Sequence, residues 1–507
     1  GGATVLEGPG VTLAGPEQVL EGHDSFVRSA VLERDTFSGV LQFEPNEDVT
    51  VTFDALYIDF SEEKAFRGLE DSWLWGADVQ SGSMTALAVE DGLVTQGVMD
   101  SPFYTVIRND LEEKVAELTS FGLNIEWDLN ENWTMELDAA MGDSERRTTN
   151  VESYAGTGRS GLAGRPGTYL MWTLTPDGAV FTPHPTLGTA DLSDFDVVHL
   201  AGPQGWGGGM ASLQDTLCPT DLACTASDGT LLNHSNAQDG FVNEPVFDED
   251  LTTIRLSAER PLDAGILTGL EVGVYYSDRS KSKDNRGFYL TAPTFPNSEP
   301  IPEQYRYGSN DMSFLGLGNL VAYDSLGLYQ SGYYTAWDAQ NLQTDRLGDT
   351  YEIDETLING FVKLDFDTEW GSVPVSGNIG VQVVSADQDG SGFYATQDAS
   401  GGVDAVPISD GDSYTDVLPS LNVTFELSDD HMIRAGVSQT VTRPRMDDMR
   451  PNIRVSFNFN HQNVVNPDPE NGPWSGFAGN AKLQPLEANQ LDVAYEWYFA
   501  DDGLFSV

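Results

Sequence analysis

Apolar and polar residues alternate with period two over long stretches of this chain. Val49, Val51, Phe53, Ala55 and Tyr57 fall on one face of a segment whose other face carries Thr50, Thr52 and Asp54. Phe37, Gly39, Leu41 and Phe43 alternate the same way just before it, and Pro45-Asn46-Glu47-Asp48 between the runs is turn chemistry. The pattern predicts a β-hairpin with one apolar and one polar face. It recurs at Phe121–Trp127 with Trp133–Met141, at Ile254–Ala258 with Leu270–Tyr276, and at Ile358–Phe366 with Val375–Val383. Two more units lie at Leu421–Leu427 with Ile433–Val437, and from Leu491 to Phe499. The expected turns are near Pro45, Asn130, Asp263, Ser372, Asp429 and Asp502, all at one end of the sheet.

Links within each hairpin are short, whereas those between hairpins are long: about 142–250, 279–350, 385–412 and 442–488. Structureless loops beyond about 15 residues are unusual in a compact domain. A transmembrane β-barrel explains them, with short periplasmic turns and long extracellular loops. A soluble sandwich or propeller spaces its strands more evenly. The expected fold is therefore all-β: an antiparallel transmembrane barrel. Trp127, Trp133, Trp370, Trp497, Tyr498 and Phe499 lie beside the short turns, as an interfacial aromatic girdle requires. On the polar faces stand Glu126, Asp128, Glu136, Asp138, Asp365, Glu426, Asp492 and Glu496. These must face water, which predicts an acidic lumen that disfavours anions.

Composition narrows the function. The 507 residues include 80 acidic and 25 basic ones, for a net charge of −55. Such a balance argues against nucleic acid, whose binders need a basic stripe. At 39% hydrophobic residues the chain is too apolar for an acidic disordered one. His23, His184, His199, His234, His431 and His461 show no metalloprotease spacing, and no phosphate-binding or serine-nucleophile motif is present, so no enzyme and no cofactor are expected. Cys218 and Cys224 lie in a polar stretch and read as a small surface disulfide, the alternative being a free thiol pair. Asp387-Gln388-Asp389-Gly390 spaces Asp387 and Asp389 as calcium loops do, without the distal Glu. An acidic surface loop is the favoured reading there.

At this point the residues resemble those of a known family. Tyr414-Thr415-Asp416-Val417-Leu418-Pro419-Ser420-Leu421-Asn422 is similar to the Y-x-D-x-LPSLN strand of TonB-dependent outer-membrane receptors. Arg434 through Ser438, Thr440, Arg443 and Pro444 resemble that family's R-x-x-x-S-x-T-x-x-R-P motif. Gly479-Asn480-Ala481-Lys482-Leu483-Gln484-Pro485 and Asp492 to Phe499 match two further motifs, with Ala481 in place of the usual Pro. The motifs cover about 351–507 and their order resembles the branch found in Caulobacter- and Xanthomonas-like bacteria. The resemblance implies a location in the outer membrane of a Gram-negative bacterium. It also implies a 22-stranded barrel, a plug domain and a TonB box that an inner-membrane complex pulls. About 12 of those strands are expected here. Residues 1–507 read as a middle portion of the barrel, with the plug and the C-terminal strands outside it. The implied partners are the TonB complex through that plug, the lipid bilayer and a small-molecule or oligosaccharide ligand.

Trp73, Trp75, Trp172, Trp206, Trp337 and Trp474 fall in the long segments, with Tyr305, Tyr307, Tyr333 and Tyr334. Exposed indoles and phenols stack on sugar faces. With so little basic charge, the set favours uptake of a neutral oligosaccharide over a ferric siderophore, haem or cobalamin. A passive porin or an adhesin barrel is the competing class.

Overall fold

A computed structural model describes residues 4–15, 17–72, 83–158, 165–202, 238–295, 297–397, 402–457, 472–500 and 503–507. Among them, twelve strands follow one another around a single antiparallel wall. They are β1 (Gly22–Asn46), β2 (Val49–Ser72), β3 (Val106–Asn130), β4 (Trp133–Gly156), β5 (Gly240–Ala264) and β6 (Leu267–Thr291). Then come β7 (Tyr351–Trp370), β8 (Val373–Gln397), β9 (Val403–Ser428), β10 (His431–Thr442), β11 (Leu486–Ala500) and β12 (Gly503–Ser506). Each pairs with the next, from β1–β2 through β11–β12. The fold is the transmembrane barrel wall that the alternation predicts.

The short turns gather at one end. Val49 at the start of β2 stands opposite Trp127 near the end of β3, and Thr134 near the start of β4 opposite Glu259 near the end of β5. Neighbouring turns are stitched together: the Asp128 amide donates to Asp48, that of Asp367 to Ile266 and that of Tyr498 to Asp430. Residues 501–502 lie outside the described residues. Gly265 and Gly371 close two of these turns at φ of +71° each, a conformation that costs a residue with a Cβ and not glycine.

The two faces reverse the burial pattern of a water-soluble sheet. Leu256, Tyr276 and Ile358 are 37–57% exposed, while their neighbours Ser257, Ser277 and Asn359 are 6–8% exposed. Apolar residues thus occupy the open outer side and polar ones the enclosed inner side. Only lipid outside and water inside reconcile that pattern with the cost of exposed apolar surface and buried polar groups. The outer stripe is continuous through Phe43, Val51, Ile125, Leu137, Leu256 and Val274, joined by register. In β2 it runs from Val49 to Tyr57, about 26 Å along the strand, or roughly 20 Å of membrane depth at a typical 40° tilt. Immediately above, Asp35, Asp59, Glu117, Glu145 and Asp248 align by register on the same outer face. Carboxylates there end the stripe, because each costs free energy in hydrocarbon.

Above the stripe the strands carry on well past the membrane, further than the sequence pattern indicates. The links expected at 142–250 and 279–350 shrink to 157–239 and 292–350, because β4, β5 and β6 extend into them. The 385–412 link is mostly strand: β8 reaches Gln397 and β9 starts at Val403. Residues of 292–350 fold back over the upper wall. Asn109 of β3 imitates a strand partner, accepting from the Tyr323 amide at 3.1 Å and donating to the Val321 carbonyl at 3.2 Å. Ser153 of β4 bonds the phenols of Tyr323 and Tyr334 at 2.9 and 3.0 Å. Burial raises both of those phenols well above their ordinary pKa, so they remain protonated and neutral. A helix α1 (Ser325–Gln330) sits in this segment, capped by Asp324, which accepts from the Gly327 amide at 2.8 Å. A separate five-stranded sheet, Thr4–Glu7, Ser83–Glu90, Leu93–Met99, Leu170–Thr175 and Gly178–Pro183, encloses Met84, Met99, Phe103, Trp172 and Phe181.

Candidate functional site: the inner wall and its mouth

The lower inner wall is acidic, as the sequence indicates, but its acids are bridged. Asn124 donates to Glu136 at 3.0 Å and to Asp138 at 2.8 Å. Glu271 takes Lys363 at 2.8 Å and Arg255 at 3.3 Å, and Arg434 holds Glu496 at 3.0 Å. Arg255, Glu271, Asn359, Lys363 and Gln382 line an open concavity of about 810 Å³ on this wall.

Higher up the character changes. The inner positions at the level of the outer acidic row include Arg34, Lys64, Lys114, Arg146, Lys281 and Lys283, interleaved with Phe60 and Phe247. Arg146 lies 4.1 Å from the Phe247 ring centroid, Lys283 5.5 Å and Lys281 5.9 Å; Lys114 lies 5.7 Å from that of Phe60. Cations over ring faces gain from the ring quadrupole. Six of the 25 basic residues thus stand on the inner side at this level, among the carboxylates of Glu62, Glu112 and Glu249. Sequence reasoning missed the band because the apolar alternation that set the register stops at Tyr57 and Phe121, below it.

Beside the band, the Arg443-Pro444 pair of the sequence motif has a structural role. Glu355 of β7 is almost wholly buried, and one of its oxygens accepts from Arg443 and from Arg279 at 3.2 Å. Two guanidiniums on one carboxylate pin the 443–457 segment to the wall. Next along that segment, Asp447 takes Lys281 at 2.9 Å and the Tyr351 phenol at 2.8 Å, while Met446 and Met449 pack on Tyr351 and Ile353. Burial works against the Asp447 charge, but the hydrogen bonds from Lys281 and Tyr351 outweigh it and hold the carboxyl below its ordinary value. Gln388 donates from the wall to the carbonyls of Ala481 and Leu483 at 2.7 and 2.9 Å.

The sequence candidates meet different fates. Trp172 is fully buried in the small sheet, so closely that a Cβ on Gly97 would stand 2.9 Å from the indole. It has no free ring face for a ligand, which corrects its place among the binding residues. Trp337 is half-buried beside β6 and donates to Thr291 at 3.0 Å. Trp474 is 65% exposed. Tyr334 is buried, Tyr305 and Tyr333 are half-buried, and Tyr307 is exposed. Trp73, Trp75, Trp206, Cys218 and Cys224 lie outside the described residues. Asp387 and Asp389 are not in a loop at all: they lie within extended β8, where alternate residues sit about 6.6 Å apart. No curled backbone brings these two carboxylates onto one ion, and no metal-holding group of acidic, histidine or cysteine side chains occurs among the described residues.

The family model described as TonB dependent receptor-like, beta-barrel, matches residues 193–507. The chain belongs to that family. Its members are outer-membrane receptors of Gram-negative bacteria that work with TonB and bind small molecules; they are receptors and transporters rather than enzymes. The receptor is also similar to solved structures at low identity. The siderophore receptor PiuA from Acinetobacter baumannii is 10% identical, with 94% of this chain and 55% of that chain covered, at a TM-score of 0.40. The ferric-catecholate import receptor Fiu from E. coli K12 is 8% identical, with 97% and 58% covered, also at 0.40. The receptor chain therefore spans somewhat more than half the length of these structures. No curated protein matches it.

Proposed function

We propose that residues 1–507 are part of the barrel of an outer-membrane receptor that imports a solute by TonB-driven transport, and that the solute is anionic, of the ferric siderophore class. The observation that carries the anionic reading is the pair Lys114 and Arg146 on the inner wall at the mouth side of the lumen, which, unlike Lys281 and Lys283 beside them, pair with no carboxylate among the described residues. An anion is drawn to this pair from outside while the outer acidic row faces away from the channel. The wall below is acidic, but its carboxylates are partly neutralised by Lys363, Arg255 and Arg434. Field lines focus in such a low-dielectric cleft, so the position of a few charges outweighs the net charge of −55. The TonB complex would act through a plug domain.

A second reading, neutral oligosaccharide uptake, keeps one specific support in the exposed indole of Trp474. It loses Trp172, and Trp337 spends its indole N–H on Thr291. The test is uptake by cells carrying the receptor, of a radiolabelled ferric chelate and of a labelled oligosaccharide, with and without a protonophore. Energy-dependent chelate uptake supports the first reading. Energy-dependent sugar uptake alone selects the second, and uptake indifferent to the protonophore would mean a passive pore.

A further inference from the structure

We propose that Arg146 and Lys114 form a carboxylate-binding subsite on the inner wall, backed by Phe247 and Phe60; the proposal rests on the anionic reading above and names the group recognised. Register places the four together. Phe60 stands opposite Ala116, Ala116 opposite Arg146, and Arg146 opposite Phe247. Lys114 is two residues along from Ala116 on the same inner face, which makes it the diagonal neighbour of Arg146, about 7–8 Å away between backbones.

Pairing separates these two cations from Lys64, Lys281 and Lys283, and partial burial against a ring separates them from Arg34, which is exposed. Lys281 is held by Glu249 and Asp447, Lys283 by Asp349, and Lys64 by Glu62 and Glu112. Glu62 stands directly opposite Lys114 in the register yet turns to Lys64. Among the described residues, Arg146 and Lys114 form no ion pair, and each is instead set against a ring. With Lys64, Glu62 and Glu112 included, the patch carries a net charge of +1, in a chain where acids outnumber bases more than threefold.

The chemistry follows from the guanidinium. At 4.1 Å from the Phe247 centroid, Arg146 has its position fixed by the ring while its N–H fork makes no hydrogen bond to a described residue. A planar fork held in place matches a carboxylate with two parallel N–H···O bonds. Lys114 adds a compact charge for a second carboxylate of the same solute. Both side chains are partly buried, so the contact is less screened than an exposed pair.

The test uses the intact receptor in detergent micelles, with citrate as probe and maltose as neutral control, by titration calorimetry at low and moderate salt. Citrate should bind, more weakly as salt rises, and maltose should not compete for the subsite. Arg146→Gln should weaken citrate roughly 10- to 100-fold, the worth of hydrogen bonds to a charged group, and Lys114→Gln by less. Arg146→Lys should recover only part of the loss, because it keeps the charge without the fork. Arg147→Gln, the next residue of β4 but on the outer face and paired with Glu145, should leave citrate binding unchanged. Heat-modifiable migration on gels checks that each variant has folded. Absence of citrate binding by the native receptor, or equal binding by the folded Arg146→Gln variant, overturns the subsite. Ferric chelate uptake that continues undiminished in Arg146→Gln also overturns it while leaving the transport reading intact. Citrate binding that needs Arg146 in a receptor that imports only neutral sugar sinks the transport reading and spares the subsite.

Discussion

Replacing Val423 by Arg tests which face meets lipid. Val423 lies five residues before Ser428, where β9 ends at its short turn. Five residues span roughly 17 Å along a strand and about 13 Å along the membrane normal at a 40° tilt. That is near the middle of an apolar band about 25 Å tall. Its cross-strand partners are Gly377 and Ala435, both small, so the lost side-chain contact is worth only a few tenths of a kcal/mol. The lipid term therefore dominates, and the substitution should cost about 2–4 kcal/mol. The neighbouring Asn422→Ala removes one hydrogen bond, to Asn378 at 3.0 Å, on the watery inner side, a loss of about 0.5–1.5 kcal/mol. Urea titration of the receptor refolded into lipid vesicles, followed by tryptophan fluorescence, separates the two. Equal costs at 422 and 423, or the larger cost at 422, would refute the assignment of faces.

Other outcomes follow from the mouth and the outer segments. Glu355→Ala leaves Arg279 and Arg443 facing each other and should destabilise docking of the 443–457 segment. Because both arginines are about one-third exposed, the cost should be about 1–3 kcal/mol rather than the 3–5 of a fully buried pair, read as faster hydrogen exchange at 446–449. Asp447 has a lowered folded pKa, so its contribution is complete above the ordinary value of 3.8 and is lost as the pH falls below it; exchange at 446–449 should therefore rise as the pH falls below about 4 and stay flat from 5 to 8. Trp172→Ala should cost about 3–5 kcal/mol of stability in the small sheet and leave ligand affinity unchanged, which calorimetry and thermal melts together would show. Mass spectrometry of unreduced peptides should find Cys218 bonded to Cys224, and two free thiols there would contradict the expectation.

The wall was legible where one solvent was lipid and the other water. Phe53, Leu123 and Ile254 alternate with Asp54, Asn124 and Arg255 because the membrane penalises charge on one face only, and that contrast sets both strand and register. Above Tyr57 and Phe121 both faces meet water, and Asp59-Phe60-Ser61-Glu62 has no period, although the backbone continues as strand to Ser72. The inner cations became visible only when the register from the apolar band was extended upward. Trp172 looked like a binding residue because a tryptophan in a long link reads as exposed. The sheet that buries it is assembled from segments around residues 5, 85, 95, 172 and 180, a non-local pairing that no short pattern encodes. Asp387 and Asp389 misled for a related reason: Gly390 and Gly392 suggested a loop, whereas in β8 a Cβ on Gly392 would meet the Asn452 side chain at 2.2 Å.

A nitroxide scan along β3, from Glu113 to Trp127, tests the central claim most directly. Oxygen partitions into lipid and a nickel chelate stays in water, so their relaxation effects report which solvent each side chain meets. With the receptor in vesicles, the account predicts oxygen maxima at residues 121, 123, 125 and 127 and chelate maxima at 122, 124 and 126. From residue 119 upward the oxygen maxima should vanish, because Glu117 begins the outer acidic row and the inner positions Lys114 and Ala116 face the watery lumen. Chelate access at every position from 121 to 127, or oxygen maxima at the even positions, would contradict an import barrel with a polar, cation-bearing lumen.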